Sequence, residues 1–245
     1  MATFMTFNAV YGQADTAKAV NQVVQLKQWE LDRYQQMKND WANLECFRDE
    51  NSKLGEAASG EKRVVFMGNS ITEGWKNIRP EFFSGRPYIN RGISGQTTPQ
   101  MLIRFRPDVI NLKPGVVVIL AGTNDIAGNT GPSTLEMIED NIKSMVDIAK
   151  ANKIKVVLSS VLPAYEFGWN PSVKPAEKIA ALNLWIKNYC SANKIVYLDY
   201  YSSLVDDRKG LKKEYSEDGV HPNNKGYFVM EPLAEEAIAK AMKRR

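Results

Sequence analysis

Five short runs of apolar residues punctuate the chain: RVVFMG at 63–68, PYINRG at 87–92, GVVVILAG at 115–122, KIKVVLSSV at 153–161 and KIVYLDY at 194–200. The stronger runs are apolar at successive positions rather than alternate ones, which is the pattern of strands covered on both faces. Between the runs, apolar residues recur at three- and four-residue spacing in TPQMLIRFRPDVINL, STLEMIEDNIKSMVDIAKAN and PAEKIAALNLWIKNYCSAN. A last helical pattern runs from about Pro222 to Met242, and Pro232 is expected to kink or split it. Strands alternating with helices predict an α/β domain built on a parallel sheet.

Upstream of the first run, Val20, Val23, Val24, Leu26, Trp29, Leu31, Tyr34, Met37 and Trp41 recur near helical spacing. They predict one helix from Asp15 to about Asn51, followed by the polar linker NSKLGEAASGEK. The chain thus divides into a segment at 1–14, an N-terminal helix and linker at 15–60, and a main domain at 61–245. The opening MATFMTFNAVYGQA is similar to the apolar and cleavage parts of a secretory signal without its basic start, or is an unstructured tail. The first alternative implies a periplasmic or secreted protein; the second leaves the cytoplasm open.

Composition narrows the chemistry. Hydrophobic residues make up 44% of the 245, charged residues 24%, and the net charge is +4, ordinary for a globular protein. No basic stripe is interleaved with aromatics, which argues against a nucleic-acid partner. No apolar run reaches the ~20 residues of a membrane span. Cys46 and Cys190, each in a segment that reads as helix, form no CxxC pair, and the chain has one histidine, so no metal is expected. Two free, partly buried thiols are expected; a mutual disulfide is the alternative. Neither GxGxxG nor a Walker-type loop follows the first strand, so no nucleotide or flavin cofactor is expected.

In open α/β sheets, ligands bind beyond the carboxyl ends of the strands. Those ends carry GNSITEGW with Ser70, NRGISGQTT with Gly92 and Gly95, GTNDIAG with Asn124, and an aromatic loop with Tyr165, Phe167 and Trp169. After the fifth strand comes EDGVHP, with Asp218 and the sole histidine, His221. A serine hydroxyl needs a neighbouring base to act as a nucleophile, and His221 is the one imidazole available. Asp218 is placed to fix its tautomer, and Pro222 suits the first position of a helix. Backbone N–H groups at Ser70 and Gly95, with the Asn124 amide, are candidate donors to an oxyanion. Each feature also has a plainer reading. Ser70 with Glu73 fits a helix capping box, Asn124 fits a loop, and DGVHP fits a turn into a helix. The aromatic loop suits a substrate lip and a core cover equally.

Taken together and in this order, GNSIT, the NxxxxG of Asn90 to Gly95, GTND and the DxxH of Asp218 to His221 resemble the four blocks of the SGNH hydrolases, the GDSL family of esterases and lipases. The resemblance runs from Arg63 to about the C-terminus. It implies a flavodoxin-like three-layer α/β/α sandwich with strand order 2-1-3-4-5, a nucleophile at Ser70, oxyanion donors at Ser70, Gly95 and Asn124, and an Asp218–His221 pair. The family usually has aspartate before the serine; here Asn69 stands there, and it is read as supporting the loop. The expected activity is hydrolysis of small acyl esters through an acyl-enzyme, with O-acetyl groups on a carbohydrate as the favoured substrate. Lysophospholipase, thioesterase and arylesterase activities are alternatives within the family. A non-catalytic glycan-binding module on the same fold is the alternative outside enzymology.

Overall fold

The structure, a computed structural model, describes residues 28–54 and 57–243. Residues 1–14, read above as a leader or tail, and the first half of the expected N-terminal helix lie outside these. The chain separates into one unit ending at Trp41 and a second running from Ala42 to the C-terminus. In the first unit, helix α1 spans Gln28–Asn39. The single helix expected to about Asn51 is broken. Turns occupy 40–47, with Asn43 at φ 55°, and a separate helix α2 covers Arg48–Leu54. A left-handed residue cannot continue a right-handed helix, and asparagine adopts that conformation readily.

The second unit continues through β1 (Val64–Gly68), α3 (Ser70–Ile78), α4 (Pro80–Phe83), β2 (Tyr88–Gly92), α5 (Thr98–Asp108), β3 (Val116–Ile119), α6 (Thr123–Ile126), α7 (Leu135–Ala151), β4 (Lys155–Ser159), α8 (Pro175–Ala192), β5 (Val196–Leu198), α9 (Tyr201–Leu204) and α10 (Asn224–Lys243). The five strands are parallel in the order β2-β1-β3-β4-β5, the order expected from the sequence.

Period-two alternation explains the layers. Val65, Met67, Val117, Ile119 and Leu158 point to one face and pack with Met101 and Phe105 of α5, Ile142 and Met145 of α7, and Ile179 and Leu182 of α8. Val64, Phe66, Val116, Val118 and Val157 point to the other, against Ile71 and Trp75 of α3, Phe82 of α4, and Tyr227, Met230 and Ala234 of α10. Because both faces are buried, β1 and β3 are apolar at almost every position. Trp75 stacks between Phe82 and Tyr227, at centroid distances of 4.7 and 5.5 Å, anchoring α3 beside the sheet.

Helix α10 runs on through Pro232, so the proline does not split it. The proline is exposed, and Phe228, whose carbonyl loses its partner, is 61% exposed, so water can take that bond. Among the described residues no helix is long and apolar enough to cross a membrane.

Candidate active site

The carboxyl ends of β1, β2 and β3 turn directly into the site. Gly92, the last residue of β2, lies against the start of α3: a Cβ there would sit 2.1 Å from the Glu73 nitrogen and 2.8 Å from the Asn69 oxygen. Only glycine admits this approach. After β1, Asn69 caps α3, its side-chain oxygen accepting from the Ile71 N–H at 3.0 Å. Ser70 is therefore the first helical residue and not the cap. Glu73, placed by the sequence in a capping box, instead reaches the next loop, where its carboxylate accepts from the Ser94 N–H at 2.8 Å and from the Ser94 hydroxyl.

The Ser70 Oγ lies 2.9 Å from His221 Nε2. His221 Nδ1 lies 2.6 Å from Asp218 Oδ2. The other Asp218 oxygen accepts from the backbone N–H of His221 at 2.8 Å and of Val220 at 2.9 Å. Gly219, at φ 77°, makes the turn that brings these groups back onto the carboxylate. Burial pushes the Asp218 carboxyl up, but the donations from the His221 N–H, the imidazole and the Val220 N–H outweigh it and hold the carboxyl at about 2. Asp218 thus stays ionised, and its bond to Nδ1 leaves Nε2 facing the serine. Contrary to expectation, Pro222 is not the first helical residue; it bridges to Ser216, and α10 starts at Asn224, capped by the Asn223 side chain.

Gly95 sits at φ 76° in the loop between β2 and α5. This loop is held from every side. The Ile93 N–H donates to the Gly68 carbonyl at 3.2 Å, and Asn129 Nδ2 donates to the Gly95 carbonyl at 3.3 Å. Asn124 Nδ2 donates to the Gln96 carbonyl at 2.9 Å, from a side chain only 4% exposed. Asp125 receives the Thr98 N–H at 2.9 Å and the Thr98 hydroxyl at 2.5 Å, pinning the start of α5. Asn90, the first residue of the NxxxxG block, receives the Gly92 N–H at 2.9 Å and donates to the Thr72 carbonyl.

Three supporting residues escape a motif-based reading. Gln96 is 3% exposed; its side chain accepts from Arg104 Nε and donates to the Ala42 carbonyl at 2.7 Å. Arg104 is fully buried, ion-paired with Asp108 at 2.9 Å, and donates to the carbonyls of Gly68 and Arg91 at 2.9 Å each. One guanidinium thus ties the end of β1, the end of β2 and the Gly95 loop together. Burial lowers its pKa while Asp108 opposes the shift, and an arginine still remains charged. The sequence does carry a signal: Met101, Arg104, Phe105 and Asp108 share one helical stripe, so the charges fall where apolar neighbours are buried. Asn129 is the third, and its position three residues past the helical turn α6 carries no such mark.

The aromatic loop divides. Phe167 is completely buried and belongs to the core, so it forms no lip. Trp169 is 48% exposed, stacks on Phe167 at 4.9 Å, and has its ring centre 6.2 Å from that of His221. Tyr165 is exposed and lies under the Arg208 guanidinium at 5.0 Å. Neither cysteine forms a disulfide. Cys190 is buried in α8, whereas Cys46 is exposed in a turn rather than in the helix expected for it. Among the described residues no group of three or more histidine, cysteine, aspartate or glutamate side chains could hold a metal ion.

Comparison with known proteins agrees with this geometry. The model of the GDSL-like Lipase/Acylhydrolase family matches residues 66–228, well over half of the chain. A solved structure from Bacteroides fragilis, described as an acylhydrolase, is similar with a TM-score of 0.82 and 55% identity, covering 84% of this chain and 100% of that one. The Xylanibacter ruminicola acetylxylan esterase is 27% identical over 213 residues, 72% of this chain and 43% of its own. The rat platelet-activating factor acetylhydrolase IB subunit alpha2 is 30% identical over 111 residues, 43% of this chain and 46% of its own. The chain spans about half the length of the curated relatives it matches. With the sheet order, the four blocks and the family match all coinciding, the chain belongs to the GDSL-like lipase/acylhydrolase family of carboxylic ester hydrolases.

Proposed function

We propose that the protein hydrolyses small acyl esters, acetyl esters foremost, through an acyl-enzyme on Ser70. The observation that carries this is the continuous chain from Ser70 Oγ through His221 to Asp218, at 2.9 and 2.6 Å. His221 Nε2 takes the Ser70 proton as Oγ attacks the ester carbon, and general-base help of this kind is worth about 10²–10⁴ in rate. Asp218 holds the imidazole in the required tautomer and stabilises the imidazolium that forms. The negative charge that develops on the carbonyl oxygen is received by the Gly95 N–H, the Ser70 N–H and the second hydrogen of the Asn124 amide. One donor of this kind is worth about 3–4 kcal/mol of barrier. The clamped loop supports this role, since donors fixed in advance need no reorganisation as charge develops.

The imidazolium then protonates the leaving alkoxide. Water, activated by the same histidine, attacks the acyl carbon, the Ser70–acyl bond breaks, and Oγ regains its proton. The two curated relatives named above are called an acetylxylan esterase and an acetylhydrolase. An acetyl group is common to both names and the alcohol is not, which favours acetyl as the acyl group here and a carbohydrate as one candidate alcohol. Steady-state turnover of p-nitrophenyl acetate by Ser70→Ala and His221→Ala tests the reading. Each variant is expected to lose at least 10³-fold in kcat, and activity retained in either rejects the assignment.

A further inference from the structure

We propose that Trp169, set in place by Asn129, is the platform that binds the alcohol part of the ester, and that this alcohol carries a saturated ring with an apolar C–H face, such as a pyranose. The inference rests on the esterase reading above and assigns a side to the site. In acylation the Oγ–acyl bond forms, the acyl–oxygen bond to the alcohol breaks, and the proton from Ser70 passes through His221 Nε2 to the departing oxygen. The leaving alcohol must therefore lie beside the imidazole, while the carbonyl oxygen points to Gly95 and Asn124. The Trp169 ring centre is 6.2 Å from that of His221, on the leaving-group side by this criterion.

The platform is built, not incidental. One face of the indole is backed by the buried Phe167 ring at 4.9 Å and an interplanar angle of 25°, yet the residue keeps 48% of its surface open. Its N–H is already satisfied, donating to Asn129 Oδ1 at 3.1 Å. The loop beyond is pinned by Asn170, whose Nδ2 donates to the Ala127 carbonyl at 2.9 Å. What remains for a ligand is an apolar aromatic face, suited to the C–H face of a ring and supplying no charge or free donor. Asn129 uses its other end on the Gly95 carbonyl at 3.3 Å. The same side chain therefore registers the alcohol platform against the loop proposed to receive the oxyanion.

The test compares kcat/KM of wild type and Trp169→Ala on an acetylated methyl xylopyranoside and on ethyl acetate, with acetyl and butyryl forms of each. The expected result is a fall of at least fivefold in the ratio of xyloside to ethyl ester, with the acetyl-to-butyryl ratio unmoved within twofold. A smaller fall, an equal loss on both alcohols, or a changed acyl preference overturns the proposal. Should the alanine variant fail to fold, Trp169→Leu still covers Phe167 without an aromatic face and carries the same expectation. Wild-type protein inactive on every ester would sink the esterase reading itself, whereas wild-type activity with an unmoved ratio sinks only this inference.

Discussion

The Asn124 side chain donates to the Gln96 carbonyl at 2.9 Å, so one of its two amide hydrogens is spent on holding the neighbouring loop. The other is the hydrogen proposed to meet an oxyanion. Asn124→Ala removes both functions and is expected to lower kcat by about 10²–10³-fold with little change in KM. Asn124→Asp should be at least as damaging, because it faces a carbonyl and a developing oxyanion with a carboxylate. Steady-state kinetics on p-nitrophenyl acetate checks both. A rise in KM at constant kcat would show that Asn124 serves binding instead.

Gln96 touches neither nucleophile nor base, yet its backbone and side chain together meet Asn124, Arg104 and Ala42. Gln96→Leu cuts the side-chain links on both sides of the Gly95 loop. Small misplacements of reacting groups can cost as much as about 10²-fold, and a drop in kcat of about 10- to 100-fold is expected. Gln96→Glu loses the donor to Ala42 and sets a carboxylate against that carbonyl, but it strengthens the acceptor for the Arg104 guanidinium, so it should retain more activity than Gln96→Leu. If the two variants lose equally, or lose through KM alone, positioning is the wrong account.

Asp218 makes a pH-dependent contribution. Its folded pKa, about 2, lies below the ~3.9 of an unfolded aspartate. Its contribution to stability is therefore complete above the unfolded value and is lost as pH falls toward 2. Denaturant midpoints measured from pH 5 to 2 should fall more steeply for wild type than for Asp218→Asn; parallel curves would contradict the assignment. In the activity range Asp218 remains ionised. Asp218→Asn should lower kcat on the order of 10³-fold, through loss of the tautomer-fixing bond.

Gly92→Ala tests the packing behind the nucleophile. The added Cβ meets backbone atoms of Glu73, Thr72 and Asn69 at 2.1 to 2.8 Å, and backbone cannot swing aside as a side chain can. A loss of about 3 kcal/mol, read as a lowered Tm, is expected, together with lower activity because α3 must shift. A variant with unchanged Tm would mean that this contact is looser than described.

The strands and the four motif blocks could be read from sequence because each signal is local. A doubly covered strand is apolar at successive positions, Ser70, Gly95 and Asn124 stand within a few residues of the strand ends, and Asp218 and His221 stand three residues apart around the one histidine of the chain. The supporting shell could not. Gln96 depends on Ala42 and Asn124, far away along the chain, and nothing beside Gln96 marks it as a junction. Phe167 and Trp169 stand two residues apart in a loop without periodicity, so nothing local separates the core residue from the exposed one. The helical spacing through Trp41 concealed the break after Asn39, beyond which the chain turns and Asn43 is left-handed. Pro232 does not split α10, because the cost of a proline depends on which side of the helix meets water.

The account rests on Ser70 as an activated nucleophile, and covalent labelling examines that most directly. Wild-type protein treated with a fluorophosphonate probe should gain one adduct by intact mass, mapping to the peptide that contains Ser70, and His221→Ala should label at least about 10²-fold more slowly. An unlabelled Ser70, or an adduct at another residue, in protein that turns over p-nitrophenyl acetate would contradict it.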